Sequence, residues 1–203
     1  MRKPRLIIVC GVPGSGKSTF AHRVADRWGA ISFASETFAD QLGAAARTAS
    51  GDLSKDAIVH AYQAMAVAAA AALKQNRLVL AVGSFRAEEQ RSKFRDVATA
   101  NHAAVVTVRV TCPVAVAAER VRARMAHGER GPGEEAIRQI DAELNRAAGI
   151  DEIVINDASI ESFHRQIDNL IQVLGIQAVD RASDRETSAA ATAAIVQGRQ
   201  ATS

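Results

Sequence analysis

Arg5-Leu6-Ile7-Ile8-Val9-Cys10, followed at once by Gly11-Val12-Pro13-Gly14-Ser15-Gly16-Lys17-Ser18-Thr19, decides the fold. The first six residues are mostly apolar and β-branched and read as a buried strand. Beyond the glycines, Phe20, Val24 and Trp28 recur at helical spacing, which predicts a helix starting where the loop ends. Strand, glycine-rich turn and helix form the setting in which G-x-x-x-x-G-K-S works as a phosphate-binding loop, or P-loop. Glycines let the backbone curl so that its N–H groups converge on an anion, and the helix adds the positive end of its dipole. Lys17 contributes a point charge and Ser18 a hydroxyl for Mg²⁺. Residues 11–19 are therefore expected to bind a nucleoside triphosphate, with ATP and Mg²⁺ as the ligands.

The rest of the 203-residue chain is consistent with one α/β domain over residues 1–176 and a tail over 177–203. Hydrophobic residues make up 48% and aromatics only 4%, so the core has to be built from Val, Ile, Leu and close helix contacts at Ala. A net charge of +3 suits an anionic ligand but is too small and dispersed to require nucleic acid. The two cysteines, Cys10 and Cys112, fall in or at the end of apolar strands and exclude zinc spacing. They favour a reduced, cytoplasmic setting. The basic start Met1-Arg2-Lys3-Pro4 precedes an apolar run too short for a signal peptide, and no stretch is expected to reach membrane-spanning length.

Further strands are expected at 30–34, 77–82, 103–110 and 152–155. Between them lie predicted helices at about 52–73, 88–100, 113–126 and 134–148, and a last one running to Leu174. The helix at 52–73 presents Ile58, Tyr62, Met65, Ala69 and Leu73 on one face, with Asp52 or Ser54 as its cap. The helix opened by Pro113 buries Val114, Ala118, Val121 and Met125. Asn156-Asp157 reads as the cap of the last helix. Strands alternating with helices imply a parallel sheet covered on both faces. Residues 177–203, rich in Ala, Ser and Thr, read as a largely disordered tail.

Glu36 follows the second strand, at the edge where ligands collect in parallel sheets. There it is placed to hold an acceptor hydroxyl, take its proton or orient a Mg²⁺-bound water; the alternative is an acid that favours a helix dipole. Arg120 and Arg124 share one side of their helix and Arg130 follows in the break His127-Gly128-Glu129-Arg130-Gly131-Pro132-Gly133. Such a segment can close over a triphosphate as a lid, or its arginines can simply face solvent. The third strand ends in Val82-Gly83 with no acid, followed by Ser84 and Arg86, which either touch an acceptor or cap the next helix. The five histidines are scattered without metal-ligand spacing, and Trp28, Tyr62 and Met65 read as core.

The P-loop, the acid after strand two and the late Arg120/Arg124 helix together resemble the small P-loop kinases, such as shikimate and gluconate kinases, chloramphenicol phosphotransferase, the zeta-toxin group and polynucleotide kinase. The resemblance spans about residues 5–174. It implies a three-layer P-loop NTPase fold with five parallel strands in the order 2-3-1-4-5 and a small lid. It further implies phosphoryl transfer from ATP to a hydroxyl of a small molecule. On that resemblance Lys17 and Ser18 match the phosphate and Mg²⁺ positions, Glu36 the common Asp, and Arg120 and Arg124 the lid arginines. One departure is that the Asp-x-x-Arg pattern reads Glu36-Thr37-Phe38-Ala39, without the substrate-binding arginine. Two other functions fit the same residues: a nucleotide-binding switch without kinase activity, and a nucleic-acid end kinase. The lack of aromatics among the arginines disfavours a nucleic-acid partner. Nothing in the sequence specifies an oligomeric state.

Overall fold

The computed structural model describes residues 5–43 and 54–177. In chain order these form β1 (Arg5–Cys10), α1 (Lys17–Trp28), β2 (Ile31–Ala34), α2 (Ser35–Gln41), α3 (Lys55–Lys74) and β3 (Leu78–Val82). There follow α4 (Glu88–Ala100), β4 (Ala104–Thr111), α5 (Val114–Ala126), α6 (Glu134–Asn145), β5 (Glu152–Ile155) and α7 (Ile160–Val173). The sheet has five strands in the order β2-β3-β1-β4-β5, all parallel. Both the order and the alternation match the expectation. The tail from 178 onward and Asp52 lie outside the described residues.

The central strand shows why the sheet needs two helical layers. Leu6, Ile8 and Cys10 of β1 are buried with α3, α4, α5 and α6, whereas Ile7 and Val9 are buried with α1 and α7. A strand apolar on both faces is stable only when both are covered. Small side chains make this possible on one side: Ala61, Ala66, Ala69 and Ala72 of α3 are all buried, letting the helix lie close to the sheet. By length and composition α3 would qualify as a membrane span, contrary to the expectation that no stretch would. Its buried Tyr62, Met65 and Leu73 pack into the protein core instead.

The differences at element ends have local causes. Ser54 caps α3 by accepting from the Ala57 N–H. Ser159 rather than Asn156-Asp157 caps α7, accepting from the Ser162 N–H; Asn156 is drawn away to another partner. Glu36 follows β2 and lies in the first turn of α2, where an acid also favours the helix dipole. On α5, Ala117, Ala118 and Val121 are buried, but Met125, in the last turn of the helix, is 45% exposed. α6 stops at Asn145 instead of about Ala148.

Charged pairs tie helices to this frame. Asp168 of α7 accepts from Arg23 at 2.7 and 3.0 Å and from Arg27 at 2.5 Å, joining α7 to α1. Arg109 of β4 is buried and reaches Asp141 at 2.8 Å and Asn145 at 3.0 Å on α6. Removing the acid from a largely buried pair strands the cation. Asp141→Ala should therefore cost about 2 kcal/mol in urea unfolding, and Arg109→Met/Asp141→Leu should recover much of that. An Asp141→Ala change under about 0.5 kcal/mol would mean the pair holds α6 no better than a surface contact.

Candidate active site

The carboxyl ends of β1, β3 and β4 meet at the P-loop, which joins β1 to α1. The loop is tightly fitted. At Gly14, φ is +83° and a Cβ would lie 2.3 Å from the Ala117 carbonyl of α5, so only glycine is tolerated there. The Ser15 N–H donates to the Val12 carbonyl at 3.1 Å, closing the turn, and the Phe20 N–H donates to Gly16 at 2.9 Å, starting α1. Gly11 and Val12 are buried, Pro13 and Thr19 are partly buried, and Ser18 is exposed.

Lys17 is only 7% exposed, and its Nζ donates to the Val12 carbonyl at 2.9 Å. Burial holds its pKa below the ordinary lysine value, while the Glu36 carboxylate partly opposes that shift. The field of Glu36 thus reaches the loop lysine, although Glu36 itself is exposed and its nearest described hydrogen bond is a weak one from Ser35 Oγ at 3.4 Å. Arg120, half-buried, donates from Nη1 to the Gly14 carbonyl at 3.3 Å. Arg124 lies one turn further along, 3.8 Å from Glu129, and its charge also depresses the Lys17 pKa. None of the described hydrogen bonds or ion pairs joins Arg130 to the loop. It is exposed in the 127–133 segment. Lys17 and Arg120 therefore bond to loop carbonyls, Glu36 and Arg124 act on Lys17 through their charge, and Arg130 makes no described hydrogen bond or ion pair to the loop.

No group of three His, Cys, Asp or Glu side chains suited to a metal occurs among the described residues. Magnesium commonly keeps several waters and takes one or two protein ligands alongside substrate phosphates. The exposed Ser18 hydroxyl is an oxygen donor that fits a cation of that kind.

The end of β3 explains why no acid follows it. A Cβ on Gly83 would lie 2.6 Å from the Tyr62 hydroxyl and 2.9 Å from Ser35 Oγ, so those two hydroxyls already fill the place of a side chain. Tyr62 belongs to the core, as its spacing implied, yet its hydroxyl accepts from the Phe85 N–H at 3.1 Å. Burial raises the Tyr62 pKa. Phe85 is fully buried at φ +45° and packs edge-on to Tyr62 and Phe94. Arg91, also buried, donates to the Phe85 and Arg86 carbonyls at 2.5 and 3.2 Å. Ser84 and Arg86 do not cap α4: Gln90 does so through the Ala87 N–H, and Arg86 pairs with Glu143 of α6 at 3.6 Å. Arg91 escaped the sequence reading because it lies in a charged helix where an arginine reads as solvent-facing.

The model of the family described as "AAA domain" matches residues 6–148. No curated protein matches the chain. Among solved structures, the APS kinase of Mycobacterium tuberculosis, in complex with AMPPNP and APS, superposes with a TM-score of 0.66 at 18% identity, over 86% of this chain and 99% of its own. The tunicamycin resistance protein of Deinococcus radiodurans gives 0.59 at 19%, over 87% and 99%. A gluconokinase from Sinorhizobium meliloti gives 0.57 at 20%, over 86% and 97%. The expected likeness to the small P-loop kinases therefore holds at the level of the fold.

A buried ammonium costs stability until an anion meets it. The Lys17 pKa lies below that of the unfolded chain, so the cost is full below the folded value and fades as pH rises from there to the ordinary lysine range. Lys17→Met should accordingly raise the thermal midpoint of the ligand-free protein at pH 7, by about 2–4 °C per kcal/mol relieved, with the gain shrinking in alkaline buffer. A lower midpoint at pH 7 would show that the ammonium is already compensated within the chain.

Proposed function

The chain belongs to the AAA domain family, and from that premise we propose that it is an ATP-dependent kinase that passes the γ-phosphoryl group to a hydroxyl of a small molecule. The observation that carries this reading is Lys17, a buried ammonium at the end of a glycine loop, whose described hydrogen bond goes to the loop carbonyl of Val12. Phosphate oxygens would restore the charge balance that burial disturbs. The kinases among the structural neighbours support the reaction class.

In this reading the N–H groups that the loop turns inward, Gly16 among them, and Lys17 hold the β- and γ-phosphates. Ser18 and Glu36 would hold Mg²⁺, which when bound neutralises phosphate charge. Glu36 also faces the acceptor, orienting its hydroxyl and taking its proton. Arg120, already at the loop, and Arg124, released from Glu129, offset charge on the phosphoryl group in flight. Ser84 lies at the end of β3 beside the Tyr62 and Ser35 hydroxyls and contributes a polar wall to the acceptor side. Cys10, its thiol pushed up to about 11 by burial, takes no part. The reading places the chain in a reducing, cytoplasmic setting, in which buried free thiols such as Cys10 and Cys112 persist.

The test is ADP release from Mg·ATP across a panel of sugars, polyols and other hydroxyl-bearing metabolites. One of them should stimulate turnover, and folded Lys17→Ala should lose about a hundredfold or more of it. Tight ATP binding with no turnover on any acceptor would favour a nucleotide-binding switch; no ATP binding would end the kinase reading.

The fold also limits which part of the lid can move. α6 is held to the sheet through Arg109 and to the β3–α4 loop through Arg86, whereas α5 beyond Val121 and the segment 127–133 are largely exposed. Closure should therefore be confined to about residues 122–133. Hydrogen exchange should show protection there on adding Mg·ATP, weaker in Arg124→Ala, with α6 unchanged. Equal exchange with and without nucleotide would leave Arg124 a surface charge.

A further inference from the structure

Asn156 follows β5 at the carboxyl edge of the sheet, 141 residues from the P-loop in sequence, yet it is 7% exposed and its Nδ2 donates to the Ser15 carbonyl at 2.9 Å. Its backbone is fixed too, because its N–H donates to the Thr111 carbonyl at 2.7 Å and so continues the β4–β5 pairing. The fit allows no slack. Gly16 has φ +105°, and a Cβ there would lie 2.3 Å from Asn156 Nδ2 and 3.4 Å from the Phe163 ring of α7. A polar side chain this buried, with its donor aimed at one loop carbonyl, does more than fill space.

The consequence follows from peptide geometry. The carbonyl of Ser15 and the N–H of Gly16 belong to one planar trans peptide and point in opposite directions. Pinning the carbonyl outward turns the Gly16 N–H inward, toward the concavity where the loop gathers its donors. We propose that Asn156 is a positioning residue for the phosphate cradle: it sets the Ser15–Gly16 peptide so that the Gly16 N–H faces a bound triphosphate. This rests on the nucleotide reading above and adds the β5–α7 connection to the machinery of that site. A donor is required at this position. Aspartate has the same shape but, when ionised, sets a negative oxygen against the Ser15 carbonyl and beside the incoming phosphates; when protonated, it donates again.

The probe is inorganic tripolyphosphate with Mg²⁺, alongside Mg·ATP, measured by calorimetry on the full chain. Asn156→Asp should stay folded and lose about tenfold or more in affinity for both ligands at pH 7.5. Relative to the unmodified protein at each pH, that affinity should recover as pH falls toward about 4, the ordinary aspartate range, where the carboxyl regains its proton. A merely structural role would lower the thermal midpoint without producing that recovery. Asn156→Ala removes the donor without adding a charge; it should weaken both ligands with no pH recovery, and it carries the test if the aspartate variant does not fold. Unmodified protein that binds while both variants match it overturns the positioning role alone. Unmodified protein that binds neither ligand overturns the nucleotide reading, and this inference with it.

Discussion

A loop that turns its N–H groups inward must hold its carbonyls outward, and each outward carbonyl must find a donor or water. Three of the carbonyls in this P-loop are held by side chains from three different parts of the chain. Lys17 of α1 donates to Val12, Arg120 of α5 to Gly14, and Asn156 after β5 to Ser15. Only a parallel sheet with β1 beside β4 and β4 beside β5 brings those donors to one edge. The shape of the loop is thus a property of the whole domain, not of nine residues.

Three buried cations in the same frame show how context separates structure from function. Arg109 is matched by Asp141 and Asn145 and fastens α6. Arg91 is matched by two carbonyls and Glu88, and fastens the loop in which Phe85 takes a left-handed conformation. Lys17 sits differently: burial pushes its pKa down, and its described hydrogen bond goes to a loop carbonyl and not to a carboxylate. A charge left undercompensated at the end of a glycine loop is what an anion-binding site requires before its ligand arrives.

Much of this was legible in the sequence. β1, α4 and β5 run between the expected residues because apolar runs and charged helices are strong local signals. Arg120 was picked out by helical phase and does reach the loop. The misses share one cause. Asn156 read as a cap because a polar residue before a helix has a local use, and nothing nearby reveals a partner on the far side of β4. Met125 had the phase of a core residue, but it lies in the last turn of α5 and is left exposed, and phase alone does not say how far along a helix its cover extends. The absence of an acid after β3 was visible, whereas its reason, the Tyr62 and Ser35 hydroxyls occupying that place, lay in long-range packing.

The central claim is that this frame builds a cradle for the β- and γ-phosphates with Lys17 at its centre. Phosphorus-31 NMR of Mg·ATP titrated with the protein tests it most directly, because each phosphate reports separately. The account predicts that the β and γ resonances shift and broaden strongly and the α resonance less, and that Lys17→Met abolishes the effect in a folded protein. Unperturbed β and γ resonances at saturating protein, or equal perturbation in the Lys17→Met variant, would contradict it.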